Sequence, residues 1–235
     1  STLTHAGTQA NVIATVDGVA VTTGMETAVG NYLVTIGGGT LEVTPAALAI
    51  TTGTASKVYD GDALTATGSI SGFVTPTGGA QETATFTVTG SQTTVGSSAN
   101  TYTLVWDGTA VESDYTLTED LGTLTVAQKA VTITVNNASK TYGQDDPTFT
   151  GTVEGLVNAG DPGFVSYSRT NTNETIGTYN DVLTANFTAN NNYNVTVNQG
   201  DFTINPKTVT ITASDTSKTY DGSALTQPRF TASAL

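Results

Sequence analysis

The chain has 235 residues, only 11% of them charged, and its 20 Asp and Glu against 7 Lys and Arg give a formal net charge of −13. This composition excludes an ordinary cytosolic helical protein, whose exposed helix faces are rich in charge, and it argues against nucleic-acid binding, which needs clustered cations. The absence of Cys excludes a disulfide framework and a thiolate metal site. An acidic, threonine-rich chain without cysteine is typical of an extracellular bacterial protein.

The sequence carries no targeting or membrane signal of its own. No apolar run approaches the ~20 residues of a membrane-spanning helix, so we expect no membrane insertion of this segment. Residues 1–7 lack the basic and apolar regions of a signal peptide. We therefore expect a processed chain or a piece cut from a longer one.

Taken in chain order, the predicted elements are short strands with period-two alternation, separated by turns. Asp-Gly pairs and one Asp-Pro-Gly predict tight turns; they lie at 60–61, 107–108, 161–163 and 221–222. The run 193–204 predicts a strand, a turn and a second strand. Three times a closing strand leads into an opening strand: from 40–43 to 48–50, from 123–126 to 131–133, and from 202–204 to 209–211.

A tandem repeat is the main feature of the sequence. The motif Ser-Lys-Val-Tyr-Asp-Gly at 56–61 returns at 139–143 and at 217–222, so that its tyrosines are 83 and 78 residues apart. A second tyrosine series has the same two spacings (Tyr32, Tyr115 and Tyr193). The motif residues are Lys57, Tyr59, Asp60 and Gly61; Lys140, Tyr142 and Gly143; and Lys218, Tyr220, Asp221 and Gly222.

The same alignment predicts the domain boundaries. Residues 46–128 and 129–206 are two complete repeats, residues 1–45 are the C-terminal part of a repeat, and residues 207–235 are the N-terminal part of a further one. The junctions are too short and too poor in Gly for flexible tethers. We therefore expect the repeats to stack end to end in a rod, with neighbouring repeats of the same or another chain as partners.

The strand pattern predicts an all-β fold. Six or seven short strands in each repeat favour a small antiparallel β-sandwich of the immunoglobulin-like kind. The alternative is a β-grasp-like unit, which would need a helix, and no window of the sequence has helical apolar spacing.

The repeat motifs resemble the MBG/YDG-type repeats of large bacterial cell-surface adhesins, which include mucin-binding-like surface proteins. The motifs that carry the resemblance lie at 131–134, 139–143, 177–179, 192–193 and 202–206. Repeat 46–128 departs from the pattern, with Asp114 for the first residue of Asn-Tyr and Gln128 for the closing Pro. The resemblance implies secreted, surface-attached proteins in which such repeats form stalks or binding modules, and it implies no catalytic activity.

The repeated lysines suggest one covalent hypothesis. An intramolecular isopeptide bond needs a Lys, an Asn on a late strand and a nearby acid, and Lys140, Asn205 and Glu174 supply these in repeat 129–206. Repeat 46–128 has Ala127 at the position of Asn205. The alternative is that each Lys stem packs beside the motif Tyr while its ammonium remains solvated.

The sequence contains residues for three other kinds of site. The motif tyrosines favour core positions over a carbohydrate-stacking face. The pairs Asp60/Asp62 and Asp145/Asp146 favour turn formation over a Ca²⁺ site, so no cofactor is expected and calcium stays the alternative. The single histidine, His5, cannot build a His-based acid–base or metal site in one chain. We expect no enzyme.

The sequence therefore supports three functional hypotheses. The first is a non-enzymatic stalk segment of a surface adhesin, extracellular and on the bacterial cell surface. The second is a binding module whose repeats contact host glycan or mucin. The third is the subunit of a head-to-tail filament in which repeats are completed between chains.

Overall fold

The computed structural model describes residues 1–158, 161 and 165–233, and within them the regular elements are β-strands and one 3-10 turn at Glu112–Asp114. The all-β prediction is confirmed. The described residues contain no helix of the kind that a β-grasp-like unit needs. The turn predicted at 161–163 and the last two residues of segment 207–235 lie partly or wholly outside the described residues.

The chain divides into two compact units, Ser1–Gln128 and Lys129–Leu235. The division into four repeat segments stays a prediction, and its boundaries serve below as labels. Segment 1–45 consists of three antiparallel pairs, β1 with β6, β2 with β3 and β4 with β5. Their bounds are β1 Gly7–Asn11, β2 Thr15–Val16, β3 Val19–Ala20, β4 Glu26–Val29, β5 Tyr32–Thr35 and β6 Gly39–Val43.

Segment 46–128 forms two three-stranded sheets and one strand pair. The strand orders are β13-β7-β9, β11-β14-β8 and β10-β12. The bounds are β7 Ala46–Thr52, β8 Ala55–Val58, β9 Gly68–Ser71, β10 Thr85–Val88, β11 Gly96–Ala99, β12 Tyr102–Val105, β13 Tyr115–Asp120 and β14 Thr123–Ala127.

Segment 129–206 repeats this arrangement in the orders β17-β15-β20 and β16-β21-β19-β18, with a long strand β19 of 10 residues. The antiparallel strand pair β22-β23 follows it. The bounds are β15 Lys129–Val135, β16 Ala138–Thr141, β17 Gly151–Glu154, β18 Ser166–Arg169, β19 Gly177–Asn186, β20 Tyr193–Asn198, β21 Gly200–Asn205, β22 Ile211–Ala213 and β23 Phe230–Ala232.

Segments 46–128 and 129–206, the two predicted complete repeats, are each organised by two strand pairs that cross between their sheets. We call β7 with β8 (46–58), and β15 with β16 (129–141), the opening arch of a repeat. The closing arch is β13 with β14 (115–127), and β20 with β21 (193–205). The opening and closing arches run in the same direction and pair in parallel, strand by strand.

The sheets are therefore mixed, whereas the sequence analysis predicted antiparallel ones. Antiparallel pairs are present, but both arches pair in parallel. The run 193–204 is an arch and not a hairpin, since β20 and β21 lie in different sheets. Period-two alternation determines which face of a strand is buried and leaves the neighbouring strand undetermined, which explains the difference.

The core lies under the arches. The clearest cluster, in segment 129–206, contains Ile133, Val135, Leu183, Phe202 and Ile204, each at most 3% exposed. Phe149 meets Phe202 edge-on, with ring centroids 5.8 Å apart. In segment 46–128 the corresponding inward residues alternate along the arch strands (Leu48, Ile50, Leu124 and Val126, each at most 1% exposed).

In segment 46–128 the two arches cross between the sheets at a point where only glycine fits. Gly122 N–H donates to the Thr52 carbonyl at 3.0 Å. The fully buried Asn100 connects the two arches at this crossing. Its backbone N–H donates to the Gly122 carbonyl (2.8 Å), and its side-chain amide donates to the Gly53 carbonyl (3.0 Å). A Cβ on Gly122 would lie 2.3 Å from the Gly53 backbone. The close backbone approach makes this position intolerant of any side chain.

We expect Gly122→Ala to lower the free energy of unfolding by about 3 kcal/mol, since the added Cβ meets backbone that cannot yield. Gly79→Ala is the matched control, because the nearest atom to its added Cβ is 3.5 Å away. Urea unfolding of both variants measures the difference. Equal, small losses in the two variants would contradict the described crossing.

Candidate functional site

The motif lysine of segment 46–128 binds the turn that follows it. Lys57 Nζ donates to Asp60 Oδ1 at 2.5 Å and to the Asp62 carbonyl at 2.7 Å. Asp62 N–H donates to the same Asp60 oxygen (3.0 Å), which closes an Asx turn around Gly61 at φ +88°. The hydrogen bond from Lys57 is the main cause that lowers the pKa of Asp60. The motif therefore forms a short lysine–aspartate turn.

Segment 207–233 contains the same turn. Lys218 Nζ donates to Asp221 Oδ1 (2.9 Å) and to Ser223 Oγ (2.6 Å), and Ser223 N–H donates to Asp221 Oδ1 (2.9 Å). The hydrogen bonds from Lys218 and Ser223 lower the pKa of Asp221 to about 2. Gly222, at φ +75°, occupies the position of Gly61.

In segment 129–206 the motif has Gly143 where the others have Asp, and acids from elsewhere take that role. Lys140 Nζ lies 2.8 Å from Asp146 Oδ1 and also pairs with Glu174. Its side chain is only 5% exposed, because Lys140 stands on the inward face of β16 beside Ile204. The two acids, Asp146 first, raise the pKa of Lys140. This lysine is therefore held as a buried cation.

Arg169 completes a ring of four charges, which we call the charged cluster (Lys140, Asp146, Arg169 and Glu174). Arg169 Nε lies 3.1 Å from Asp146 Oδ2, and its Nη2 lies 2.5 Å from Glu174 Oε1. The guanidinium carbon sits 4.7 Å from the centroid of the Phe202 ring, a cation–π contact with the core. The cluster lines an open cleft of about 450 Å³ with Gly143, Gln144 and Asp145. Two cations and two acids leave it electrically neutral, which suits a structural tie between loops.

The structure brings together two members of the isopeptide trio and separates the third. Lys140 and Glu174 form an ion pair. Asn205 is exposed and stands beside Thr141, one residue on from the Lys140–Ile204 pair. Successive residues of a strand point to opposite faces, so the Asn205 side chain lies on the other side of the sheet from Lys140. The geometry therefore does not support a Lys140–Asn205 bond.

The motif tyrosines differ in exposure, although the backbones of Tyr59 and Tyr142 are bound in the same way. Tyr59 is buried at 8% exposure, Tyr142 is 51% exposed and Tyr220 is 92% exposed. Tyr59 N–H donates to the Ala127 carbonyl (2.9 Å), and Tyr142 N–H donates to the Asn205 carbonyl (2.8 Å). The backbone position is shared, whereas the side-chain environment is not. The predicted core position holds for Tyr59 and is wrong for the exposed Tyr142 and Tyr220, while a carbohydrate-stacking face stays the untested alternative.

In the second tyrosine series, Tyr115 and Tyr193 have a structural role that was not predicted from the sequence, whereas Tyr32 is 76% exposed. Val74 N–H donates to the Tyr115 hydroxyl at 2.9 Å, and this hydroxyl donates to Glu82. The Tyr193 hydroxyl likewise accepts from Val157 N–H at 3.1 Å. Burial raises the pKa of both tyrosines. A buried Tyr hydroxyl needs a polar partner, which these backbone N–H groups supply. The equal spacing of the two tyrosine series was the sequence signal for this shared role.

The acidic pairs considered for calcium have other partners. Asp60 is bound by Lys57, and Asp146 is bound by Lys140 and Arg169. In the part of the chain that the structure describes, no group of three or more acidic or histidine side chains is placed to hold a metal ion. The absence of a cofactor stays a prediction, and calcium stays its alternative.

A polar joint connects segment 1–45 with segment 46–128 inside the first unit. His5 Nδ1 and Asp114 Oδ2 lie 2.6 Å apart, and Ala6 N–H donates to Asp114 Oδ1 at 2.6 Å. Asp114 raises the pKa of His5, chiefly through this hydrogen bond, and His5 in turn lowers the pKa of Asp114. Sequence reasoning had no signal for the pair, because 109 positions separate the two residues.

We expect NMR titration of His5, the one histidine of the chain, to give a pKa above the ordinary 6.5. Asp114→Asn should return that pKa to about 6.5. Glu112→Gln, which removes a nearby exposed carboxylate outside the pair, should leave it raised. The pairing stabilises the joint fully between pH 3.8 and pH 6.5, and it is lost as pH rises through the raised pKa of His5 or falls through the lowered pKa of Asp114. An unchanged pKa in Asp114→Asn would contradict the joint.

We expect the charged cluster to make the free energy of unfolding fall at acid pH. Lys140 first and Arg169 second lower the pKa of Glu174 from 4.5, so its stabilisation is present above pH 4.5 and is lost as pH falls through the lowered value. Lys140→Met keeps the apolar stem and should reduce the drop in unfolding free energy between pH 7 and acid pH, measured by urea titration. Lys207→Met, at an exposed lysine, is the control. The same acid loss in both variants would contradict the cluster.

The comparisons with known proteins concern one segment of the chain. Residues 131–203 match the family model described as the MBG domain (YGX type). No curated protein and no solved structure matches the chain. No helix among the described residues is long and apolar enough to cross a bilayer. The matched segment contains Tyr142-Gly143-Gln144, which fits the Tyr-Gly-X pattern, together with the charged cluster. Residues 131–203 are therefore similar to the MBG domain family, as the resemblance predicted.

Proposed function

We propose that the chain is a non-enzymatic repeat region of a bacterial surface protein and acts there as a semi-rigid extracellular stalk. The observation that carries the proposal is the repetition of one arch-on-arch fold in 46–128 and 129–206 with almost no chain between the two. β14 ends at Ala127 and β15 begins at Lys129, so Gln128 alone separates them. The family match of the second segment supports a repeat of the surface-protein kind.

The junctions support stiffness for a physical reason. A linker is flexible when it is long and rich in Gly and Ser. The linkers here, Gln128 and the pair Thr44–Pro45, are short and contain neither residue. In the first unit, the Asp114 joint adds two polar contacts between segment 1–45 and the repeat that follows. A short linker with specific contacts limits the rotation of one segment against the next.

The charged side chains support a structural role over catalysis. Each motif lysine is bound by an acid, Lys57 by Asp60, Lys140 by Asp146 and Glu174, and Lys218 by Asp221. An acid–base or nucleophilic catalyst needs a group poised to lose or gain a proton near neutral pH. The acids instead hold Lys140 protonated by raising its pKa. These ion pairs fix turns to strands, which is a structural role.

Solution scattering combined with light scattering over a range of protein concentrations tests the proposal. We expect a monomer whose distance distribution is independent of concentration. The matched control carries a Gly-Ser insertion after Gln128, which should broaden the distance distribution because the junction becomes a flexible tether. A native chain that scatters like the insertion variant would contradict a semi-rigid stalk.

The same experiment separates the stalk from its two alternatives. Growth of particle mass with concentration would favour the head-to-tail filament, since heterologous contacts that do not close build open polymers. Binding of the chain to immobilised mucin glycans, with an affinity that rises with the number of repeats, would favour the glycan-binding module.

A further inference from the structure

In each complete repeat the chain begins on one arch and leaves on the other. Ala46, where the opening arch begins, stands beside Tyr115, where the closing arch begins. At the opposite end, Val58 of the opening arch stands beside Ala127 of the closing arch. The two ends of a repeat are therefore at opposite ends of two consecutive parallel ladders, one in each sheet, which together we call the ladder.

We propose that the paired arches are a mechanical clamp that resists tension applied through the two ends of a repeat. The proposal rests on the proposed stalk function, which supplies the tension, and it adds the element that bears the load. The arches would resist force within each single repeat, independently of the neighbouring repeats.

The direction of pairing determines how force reaches the hydrogen bonds. Tension pulls the opening arch back along its own axis and pulls the closing arch forward along the same axis. Because the arches are parallel, this motion shears the ladder, and all of its hydrogen bonds resist together. In an antiparallel hairpin pulled at its two ends, the bonds lie in series and break one at a time.

The ladder has the same length in both repeats. Six residue pairs join the first strands of the arches (Ala46–Thr51 with Tyr115–Asp120, and Lys129–Thr134 with Tyr193–Asn198), and four join the second strands. One more backbone bond extends each ladder at its far end, from Tyr59 N–H to the Ala127 carbonyl and from Tyr142 N–H to the Asn205 carbonyl. The repeats differ by several residues in length, yet these pairs are retained.

The core protects this ladder from water. Eight of the ten largest fully buried side chains among the described residues lie on arch strands (Leu48, Ile50, Leu124, Val126, Val131, Ile133, Phe202 and Ile204). Water can replace a stretched hydrogen bond only where it has access to it. Alternate residues are buried along β7, β14, β15 and β21, so sliding of the arches must expose apolar surface before the bonds exchange, whereas β13 is exposed beyond Tyr115.

The motif lysines stand near the far end of the clamp. Lys57 pairs in register with Val126, and Lys140 pairs with Ile204. Each lysine also binds an acid beyond the arch, Asp60 or Asp146. Sliding of the opening arch past the closing arch would have to pull this turn along or break the ion pair. The repeated Lys is thereby explained as a tie at the end of the ladder.

Single-molecule force spectroscopy on the full chain tests the clamp, since the absence of native Cys permits attachment through introduced thiols. Thr44→Cys with Ala127→Cys applies force at opposite ends of the ladder in segment 46–128 and loads it in shear. Thr44→Cys with Glu112→Cys applies force at one end and peels the same pairs. All three positions are exposed. Urea unfolding of both variants checks that their equilibrium stabilities are equal.

We expect the shear pair to unfold at a force several-fold above that of the peel pair at equal stability. Equal forces would overturn the clamp and would leave the stalk, which scattering tests, unaffected. Segment 129–206 provides an independent repetition, with Ala130→Cys and Asn205→Cys for shear and Ala130→Cys and Ala189→Cys for peel. If scattering shows a flexible chain while the force difference between the shear and peel pairs persists, the stalk proposal is wrong and the clamp proposal stands.

Discussion

Parallel pairing between the first and last strands of each repeat is the constraint on which the rest of the structure depends. It places the two ends of a repeat at opposite ends of a ladder, and it brings the two corners together where Gly122 meets Gly53. It also puts the inward residues of both arches over one core. A chain of threonine-rich strands with few charges has little else to define its pairing, so the buried alternation of the arches is what specifies the register.

The few basic residues follow from the same arrangement. A motif lysine at the end of each opening arch points toward the turn that leaves it, and each is neutralised by an acid near that turn. Where Asp of the Tyr-Asp-Gly turn is replaced by Gly143, Asp146 and Glu174 take its place and Arg169 balances the added charge. Exposed ion pairs contribute little stability alone. Their repetition at one position in three segments indicates a local function, which is to fix the turn to the arch.

The sequence predicted what short-range patterns encode. Period-two alternation gave the strands, and the motif spacing gave the repeat; the spacing of Lys57 to Asp60 and of Lys218 to Asp221 also held the signal for the lysine turn. Alternation specifies a buried face and not a neighbour, so the parallel arches were mistaken for antiparallel strands. Asn205 was paired with Lys140 by residue type, whereas adjacent register positions place the two side chains on opposite faces. The His5–Asp114 joint depends on tertiary folding and has no local signal.

Hydrogen exchange of backbone amides, followed residue by residue by NMR, tests the central role of the arches most directly. Amides inside the arch ladders should open only with the unfolding of the whole repeat, because their bonds lie over the buried core. The account predicts the slowest exchange in β7 and β14 of segment 46–128 and in β15 and β21 of segment 129–206. Slowest exchange in β10, β12 or β18, with rapid exchange along the arches, would contradict it.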